Sequence, residues 1–271
     1  MTTLKLFNAD CLEQMKSIPD NSVDLIICDL PYGCLTTGDT KKKLMRADRP
    51  DQPNNREGGT MVGCDWDIKI NLDLFWKQVK RIRKDDHTPC IHFCSTKFGY
   101  DLIKSNEKEF RYDIVWCKSN AVGFLDANKK PMAAHEMIYI FSKKGANYNR
   151  IDITECVPYE ITRTADSSNH YNVKRLDKKS INTGTRCIKS WVQIANKRVK
   201  DGHPTSKPIE LYKWLIERYS KEGDTVLDPT FGSGNSGHAC KDLKRNYIGI
   251  EMNKGFFDKA EKSLVTINGY F

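Results

Sequence analysis

One segment late in the chain leaves few folds open. Thr225-Val226-Leu227-Asp228 is a short apolar run that ends in an acid. Pro229-Thr230-Phe231-Gly232-Ser233-Gly234 then leads into a helix-forming stretch, Asn235–Leu243. Strand, glycine loop and helix in that order make the opening of a βαβ unit, and such units close into a mostly parallel sheet. The glycines let the backbone approach a ligand closely. The next apolar run, Tyr247-Ile248-Gly249-Ile250, also ends in an acid, Glu251, which falls 17 residues after Gly234. In dinucleotide-binding folds an acid about 20 residues past the glycines bonds ribose hydroxyls.

The loop lacks a Lys-Ser or Lys-Thr after its glycines, so it is not a phosphate loop. The acid ahead of it also disfavours a pyrophosphate. A cationic or amine-bearing ligand with a ribose suits it better. S-adenosylmethionine, with its sulfonium, ammonium and adenosine, is such a ligand.

A second acid-ended strand lies near the start. Val23-Asp24-Leu25-Ile26-Ile27-Cys28 runs into Asp29-Leu30-Pro31-Tyr32. Open α/β sheets bind ligands at the carboxyl ends of their strands. An acid beside a stacking ring fits a flat, hydrogen-bonding substrate such as a nucleobase.

Around these two strands the pattern predicts further strands at Leu4–Phe7, Cys90–Ser95, Tyr112–Cys117 and Glu136–Ser142. Helices are expected at Asp10–Lys16, Leu72–Arg83, Phe98–Asn106, Ser206–Tyr219 and Asn253–Val265. Ser206 reads as an N-cap with Pro208 in the first turn. Strands 112–117 and 136–142 follow each other with no helix between them, which implies one antiparallel hairpin at the sheet edge. Residues 34–64 are polar and rich in Gly, Pro, Asn and Lys, and read as a long loop of the kind that is a binding loop, a lid or disordered, with DNA contact as an open case.

Hydrophobic residues make up 39% of the 271 and charged residues 29%, which fits a chain with a real core. No basic stretch followed by a long apolar run opens the sequence, so no signal peptide is expected. No apolar run approaches a membrane span. Without a secretion signal, the ten cysteines read as reduced thiols in a cytoplasm. Cys90-Ile91-His92-Phe93-Cys94 alternates like a buried strand, and no second Cys/His pair has finger spacing, so no metal site is expected. The formal net charge is +9, and residues 143–200 carry thirteen Lys/Arg against five acids. Positive charge concentrated in this way suits a polyanion.

The two acid-ended strands together resemble the amino-methylating DNA methyltransferases, in the β-type order of the adenine-N6 enzymes. Asp29-Leu30-Pro31-Tyr32-Gly33 is similar to the family's Asp-Pro-Pro-Tyr catalytic motif. Asp228-Pro229-Thr230-Phe231-Gly232-Ser233-Gly234 is similar to its cofactor loop, and His203-Pro204-Thr205-Ser206-Lys207-Pro208 to the His-Pro-Thr-Gln-Lys-Pro element ahead of that loop. Leu30 stands where the family has its first proline, and Ser206 where it has Gln.

The resemblance implies a Rossmann-like methyltransferase fold. This is an α/β architecture with a mostly parallel twisted sheet, one antiparallel edge hairpin and a small inserted target-recognition module. Residues 1–142 would form the catalytic half, 143–202 the basic recognition region and 203–271 the cofactor half. The cofactor implied is S-adenosylmethionine. Glu251, followed by Met252, would hold its ribose, and Asp10 and Cys11 would meet its adenine. Asp228, Phe231, Gly232, Ser233, Gly234 and Asn235 would line its methionine side, with Lys207 near the carboxylate.

Asp29 and the Leu30 carbonyl would bond the target amine, with Pro31 setting the turn and Tyr32 stacking on the base. Arg163, Lys174, Arg175, Lys178, Lys179, Arg186 and Lys189 would contact DNA. The partner implied is double-stranded DNA, with a cognate restriction endonuclease and a homodimer as open cases. Asp29 favours adenine over the cytosine-N4 alternative, whose motif more often begins with Ser. A catalytically silent DNA-binding protein on the same scaffold is the alternative from another class.

Overall fold

The run Leu25-Ile26-Ile27-Cys28 is buried at every position. A strand tolerates that only in a sheet covered on both faces. The computed structural model describes residues 2–32, 69–163, 178–196 and 206–266. It divides into a larger unit, Met1–Asn149 with Trp191–Phe271, and a smaller one, Arg150–Ser190.

The larger unit is built on an eight-stranded sheet. In chain order its strands are β1 (Leu4–Phe7), β2 (Leu25–Cys28), β3 (Cys90–Cys94), β4 (Phe110–Val122), β5 (Ala133–Phe141), β8 (Trp191–Gln193), β9 (Thr225–Asp228) and β10 (Asn246–Ile250). The spatial order is β1-β10-β9-β2-β3-β5-β4-β8. Pairing is parallel from β1 through β3, antiparallel at β3–β5 and β5–β4, and parallel again at β4–β8. The expected hairpin is present, but it is not the outermost element. β8 lies beyond it, bonded to Val115, Trp116 and Cys117 of β4. Three residues between irregular segments carry too little periodicity to read as a strand.

Helices α1 (Cys11–Met15), α2 (Leu72–Ile82) and α3 (Thr96–Ser105) cover one face. They bury Met15, Phe75, Trp76, Val79, Phe98 and Leu102 against Ile26, Cys28 and Leu227. Helices α4 (Ile209–Tyr219), α5 (Asn235–Asp242) and α6 (Lys254–Thr266) cover the other. They bring Leu211, Leu215, Ala239, Phe257 and Ala260 against Leu25, Ile27 and Val226. Side chains alternate across the central strands, so residues 25 and 27 meet one helical layer and 26 and 28 the other. None of the described helices is long and apolar enough to cross a membrane.

Helix α4 begins later than the Ser206 cap predicts. Pro208 is its N-cap residue, without a side-chain bond, and Ser206 lies outside the helix. The Ser206 hydroxyl is 2.7 Å from Ser233 Oγ and accepts from Asn235 Nδ2 at 2.9 Å instead. A neighbour across the fold wins the hydroxyl from the local cap.

The smaller unit centres on β6 (Tyr159–Arg163) paired antiparallel with β7 (Lys178–Asn182). Lys179 pairs with Glu160 across the ribbon at 2.7 Å. The Arg186 guanidinium lies 4.4 Å from the Tyr159 ring centroid and donates to the Val157 carbonyl at 2.6 Å. An Ile153–Arg186 bridge closes the unit.

Candidate active site

The strand order reverses direction between β9 and β2. From β9 the chain returns through α5 to β10 on one side, and from β2 it proceeds to β3 on the other. Such a switch point opens a crevice outside the carboxyl ends of the strands. A cavity of about 380 Å³ lies there. It is lined from the first half of the chain by Asp10, Cys11, Asp29, Leu30, Pro31 and Tyr32, and from the second by Lys207, Phe231, Gly232, Ser233, Glu251 and Met252. Asp228, Gly234 and Asn235 are not among its lining residues.

Asp228 has no exposed surface. Its carboxylate accepts from Thr230 N at 3.0 Å and from Ser236 Oγ at 2.6 Å, and that hydroxyl is also 2.8 Å from Tyr247 Oη. Burial pushes the Asp228 carboxyl up to about 7 against these bonds, with Asp29 and Glu251 adding to the rise. The acid shapes the loop from behind. Asn235 does related work from the start of α5, donating to Ser206 Oγ and, at 2.7 Å, to the Lys207 carbonyl. Gly234 sits at φ +78°, with an added Cβ only 3.0 Å from Ala260 Cβ, so this turn admits little but glycine.

Glu251 is fixed by its own backbone neighbourhood. Oε2 accepts from Gly232 N at 3.0 Å and Oε1 from Asn253 N at 2.7 Å. Burial raises its carboxyl while these N–H groups oppose the rise. A carboxylate has about four acceptor positions, so both oxygens keep capacity for a diol. Asp10 caps α1 by accepting from Glu13 N at 3.0 Å and lines the cavity as well. Burial pushes the neighbouring Cys11 thiol up to about 12, so it serves as an apolar wall.

Asp29 stands at the end of β2. Its Oδ1 accepts from Tyr32 Oη at 2.8 Å and its Oδ2 from Lys207 Nζ at 2.6 Å. Thr230 Oγ1 donates to the Asp29 carbonyl at 3.1 Å, which ties the turn after β2 to the glycine loop. The Tyr32 ring stacks on Phe98 with centroids 5.0 Å apart at 29°.

Lys207, expected near the cofactor carboxylate, is buried. It lies between Asp29 and Glu136, with Glu136 Oε2 at 3.5 Å. Burial alone would lower the ammonium, but the two carboxylates outweigh it and hold Lys207 above the ordinary lysine value. Burial would likewise raise Glu136, and Lys207 with Lys118 overcomes it and holds that carboxyl low. Lys118 closes the row by donating to Glu136 Oε1. Glu136 and Phe98 escape sequence reasoning because no motif marks them, and Thr230 stands inside the glycine-loop motif without a role assigned to it there. The one available signal is an acid at the head of the mostly apolar run Met137–Phe141 in β5.

Three acids at the wall, Asp10, Asp29 and Glu251, outnumber the lining Lys69 and Lys207, and Lys207 is itself paired with Asp29, so the balance suits a ligand with positive charge. Phe231, Ile70 and Phe256 give it apolar surface. A ribose, a sulfonium and an ammonium all find partners in this set, so the residues present fit S-adenosylmethionine.

The expected DNA contacts divide differently. Lys174 and Arg175 lie outside the described residues, as do residues 34–64 and His203. Arg163 and Lys178 end the paired ribbon strands. Lys179 and Arg186 make the intra-unit contacts above, and Lys189 is also engaged.

Residues 23–262 match the family model of the N6/N4 enzymes, described as DNA methylase. The chain is 31% identical over 276 residues to the type II methyltransferase M.HinfI of Haemophilus influenzae, covering 96% of this chain and 67% of that one. Among solved structures it is similar to the M1.HpyAVI–SAM complex, with a TM-score of 0.59 at 22% identity over 97% of this chain and 100% of that one. It is also similar to the PvuII DNA methyltransferase (cytosine-N4-specific), with a TM-score of 0.64 at 16% identity over 99% and 89%. The structural likenesses establish the methyltransferase fold.

Proposed function

The chain belongs to the N6/N4 DNA methylase family, whose methyl donor is S-adenosylmethionine, and we propose that it methylates the N6 amine of adenine at a specific site in double-stranded DNA. The observation that carries this reading is the Asp29 carboxylate. It is oriented by Tyr32 and Lys207 on the wall of the same cavity that Glu251 lines.

An exocyclic amine of adenine is a weak nucleophile because its lone pair is delocalised into the ring. When bound, S-adenosylmethionine supplies an activated methyl group on sulfonium. The protein must align the amine with that methyl and accept charge developing on nitrogen. Asp29 uses two of about four acceptor positions in its present bonds, so it can also accept an amine proton. The Leu30 carbonyl is the second acceptor, and together they draw the nitrogen toward tetrahedral geometry. Tyr32, backed by Phe98, stacks on the base. Glu251 holds the ribose, Asp10 faces the adenine end of the cofactor, and Phe231, Gly232 and Ser233 frame the methionine end.

The target amine is buried in a duplex, so the base is flipped out at a cost of a few kcal/mol. Phosphate contacts from the basic 143–202 region repay that cost, and the same region reads the site. The same geometry also serves cytosine N4, which presents a comparable exocyclic amine, and the head of the motif favours adenine.

Expression in a host lacking DNA methylation, followed by modification-sensitive sequencing, tests the reading directly. N6-methyladenine at one short motif, absent with Asp29→Ala, is the expected result. N4-methylcytosine would replace the adenine assignment. Cofactor binding without any methylated DNA would favour the silent DNA-binding alternative.

A further inference from the structure

Beneath the catalytic turn, on the face of the sheet under α2, three side chains converge that the methyl-transfer chemistry does not use. In the β2–β3 register Ile26 is opposite Cys90 and Cys28 opposite His92. The two-residue period therefore puts Cys28, Cys90 and His92 on one face. Their Sγ, Sγ and imidazole nitrogen all lie within 4.8 Å of one another, and all three residues are buried. Cys90 Sγ is 3.3 Å from His92 Nε2.

The imidazole sits in an aromatic box. Phe75, Trp76 and Phe141 have centroids 5.5, 5.2 and 5.6 Å from it, at steep angles. Among the described residues Nδ1 has no hydrogen-bond partner, although it is buried. A ring face can take an N–H and cannot satisfy a lone pair. The surroundings therefore favour the tautomer with the proton on Nδ1, which turns the Nε2 lone pair toward the two sulfurs.

We propose that Cys28, Cys90 and His92 bind one zinc ion, which clamps β2 to β3 directly below Asp29. Zinc takes thiolate sulfur at about 2.3 Å and imidazole nitrogen at about 2.0 Å, so tetrahedral ligand edges run about 3.5–3.8 Å. The observed spacing needs only small side-chain shifts to reach that geometry. Two thiolates, a neutral imidazole and a divalent cation sum to zero charge, which a dry core tolerates far better than an isolated thiolate.

Sequence spacing misses the site because its third ligand comes from a strand more than sixty residues earlier. The surrounding rings leave no exposed approach, so loading accompanies folding and the ion holds strands rather than substrate. Cys28 is the residue immediately before Asp29, so the clamp steadies the start of the catalytic turn.

The test is elemental analysis of the full chain, expressed without a polyhistidine tag, purified under reducing conditions and passed through a mild chelator. About one zinc per chain is expected. X-ray absorption should show two sulfurs and one imidazole in the first shell. Cys90→Ser and Cys28→Ser should each lose the ion, and Cys187→Ser, at an exposed cysteine, should keep it. A wild-type chain that refolds in zinc yet retains none overturns the proposal, whatever the folding of the variants. So does a first shell of oxygen and nitrogen alone, or zinc content unchanged in both cluster variants.

Discussion

At the scale of single residues, Lys207 links the motifs. It lies 178 positions from Asp29 in sequence and 2.6 Å away in space. Removing one partner from a buried ion pair costs about 3–5 kcal/mol, because the other charge remains without compensation. Lys207→Gln should therefore be destabilised by roughly that amount near neutral pH and should lose most methyl transfer. The sign of its pH dependence follows from Glu136, whose carboxyl Lys207 holds low. A depressed acid contributes stability above its unfolded value and loses it as pH falls. The deficit of the variant should accordingly shrink as pH drops through the carboxylate range, in denaturant melts run side by side with wild type. A deficit constant with pH would remove the ammonium from this role. Asp29 and Lys207 are both legible as motif residues. Their pairing is not, because proximity between the two halves exists only once β2 lies beside β9.

At the scale of elements, the sheet constrains its own glycines. A Cβ on Gly249 in β10 would stand 2.6 Å from Tyr247 Cε1 and 2.7 Å from Phe231 Cδ1. Overpacking of this kind costs about 1–3 kcal/mol. Phe231 also lines the cavity, so Gly249→Ala should weaken S-adenosylmethionine binding along with stability, measurable by calorimetry and thermal melts. Unchanged cofactor affinity would show that the Phe231 wall is not coupled to β10. The elements flanking the motifs were readable because long periodic or wholly apolar runs leave little choice: β2, β3, β9 and the stripe of α2 all fall within a residue or two of expectation. β8 was hidden by its length, and the start of α4 by a hydroxyl bond to Ser233 that no local pattern contains.

At the scale of the whole molecule, the acid behind the glycine loop sets a pH response. Asp228 is raised to about 7 from an ordinary 3.8. The folded state therefore holds a proton that the unfolded chain has released, and stability falls as pH rises between those two values. The slope is at most ~1.4 kcal/mol per pH unit, that of a single proton. Asp228→Asn should flatten this part of the stability curve, and an identical slope in both proteins would refute the assignment.

Sheet connectivity has another consequence. Among the described residues β1 pairs with β10 alone, more than two hundred positions later: Leu4 pairs with Tyr247 and Phe7 with Ile250. During synthesis β1 leaves the ribosome long before β10, and its pairing waits until β10 has followed it. Asp10, just past β1, and Glu251, just past β10, come together in that same late event. A nascent chain stalled before Asn246 should thus carry the complete Asp29 turn and yet be unable to retain its methyl donor.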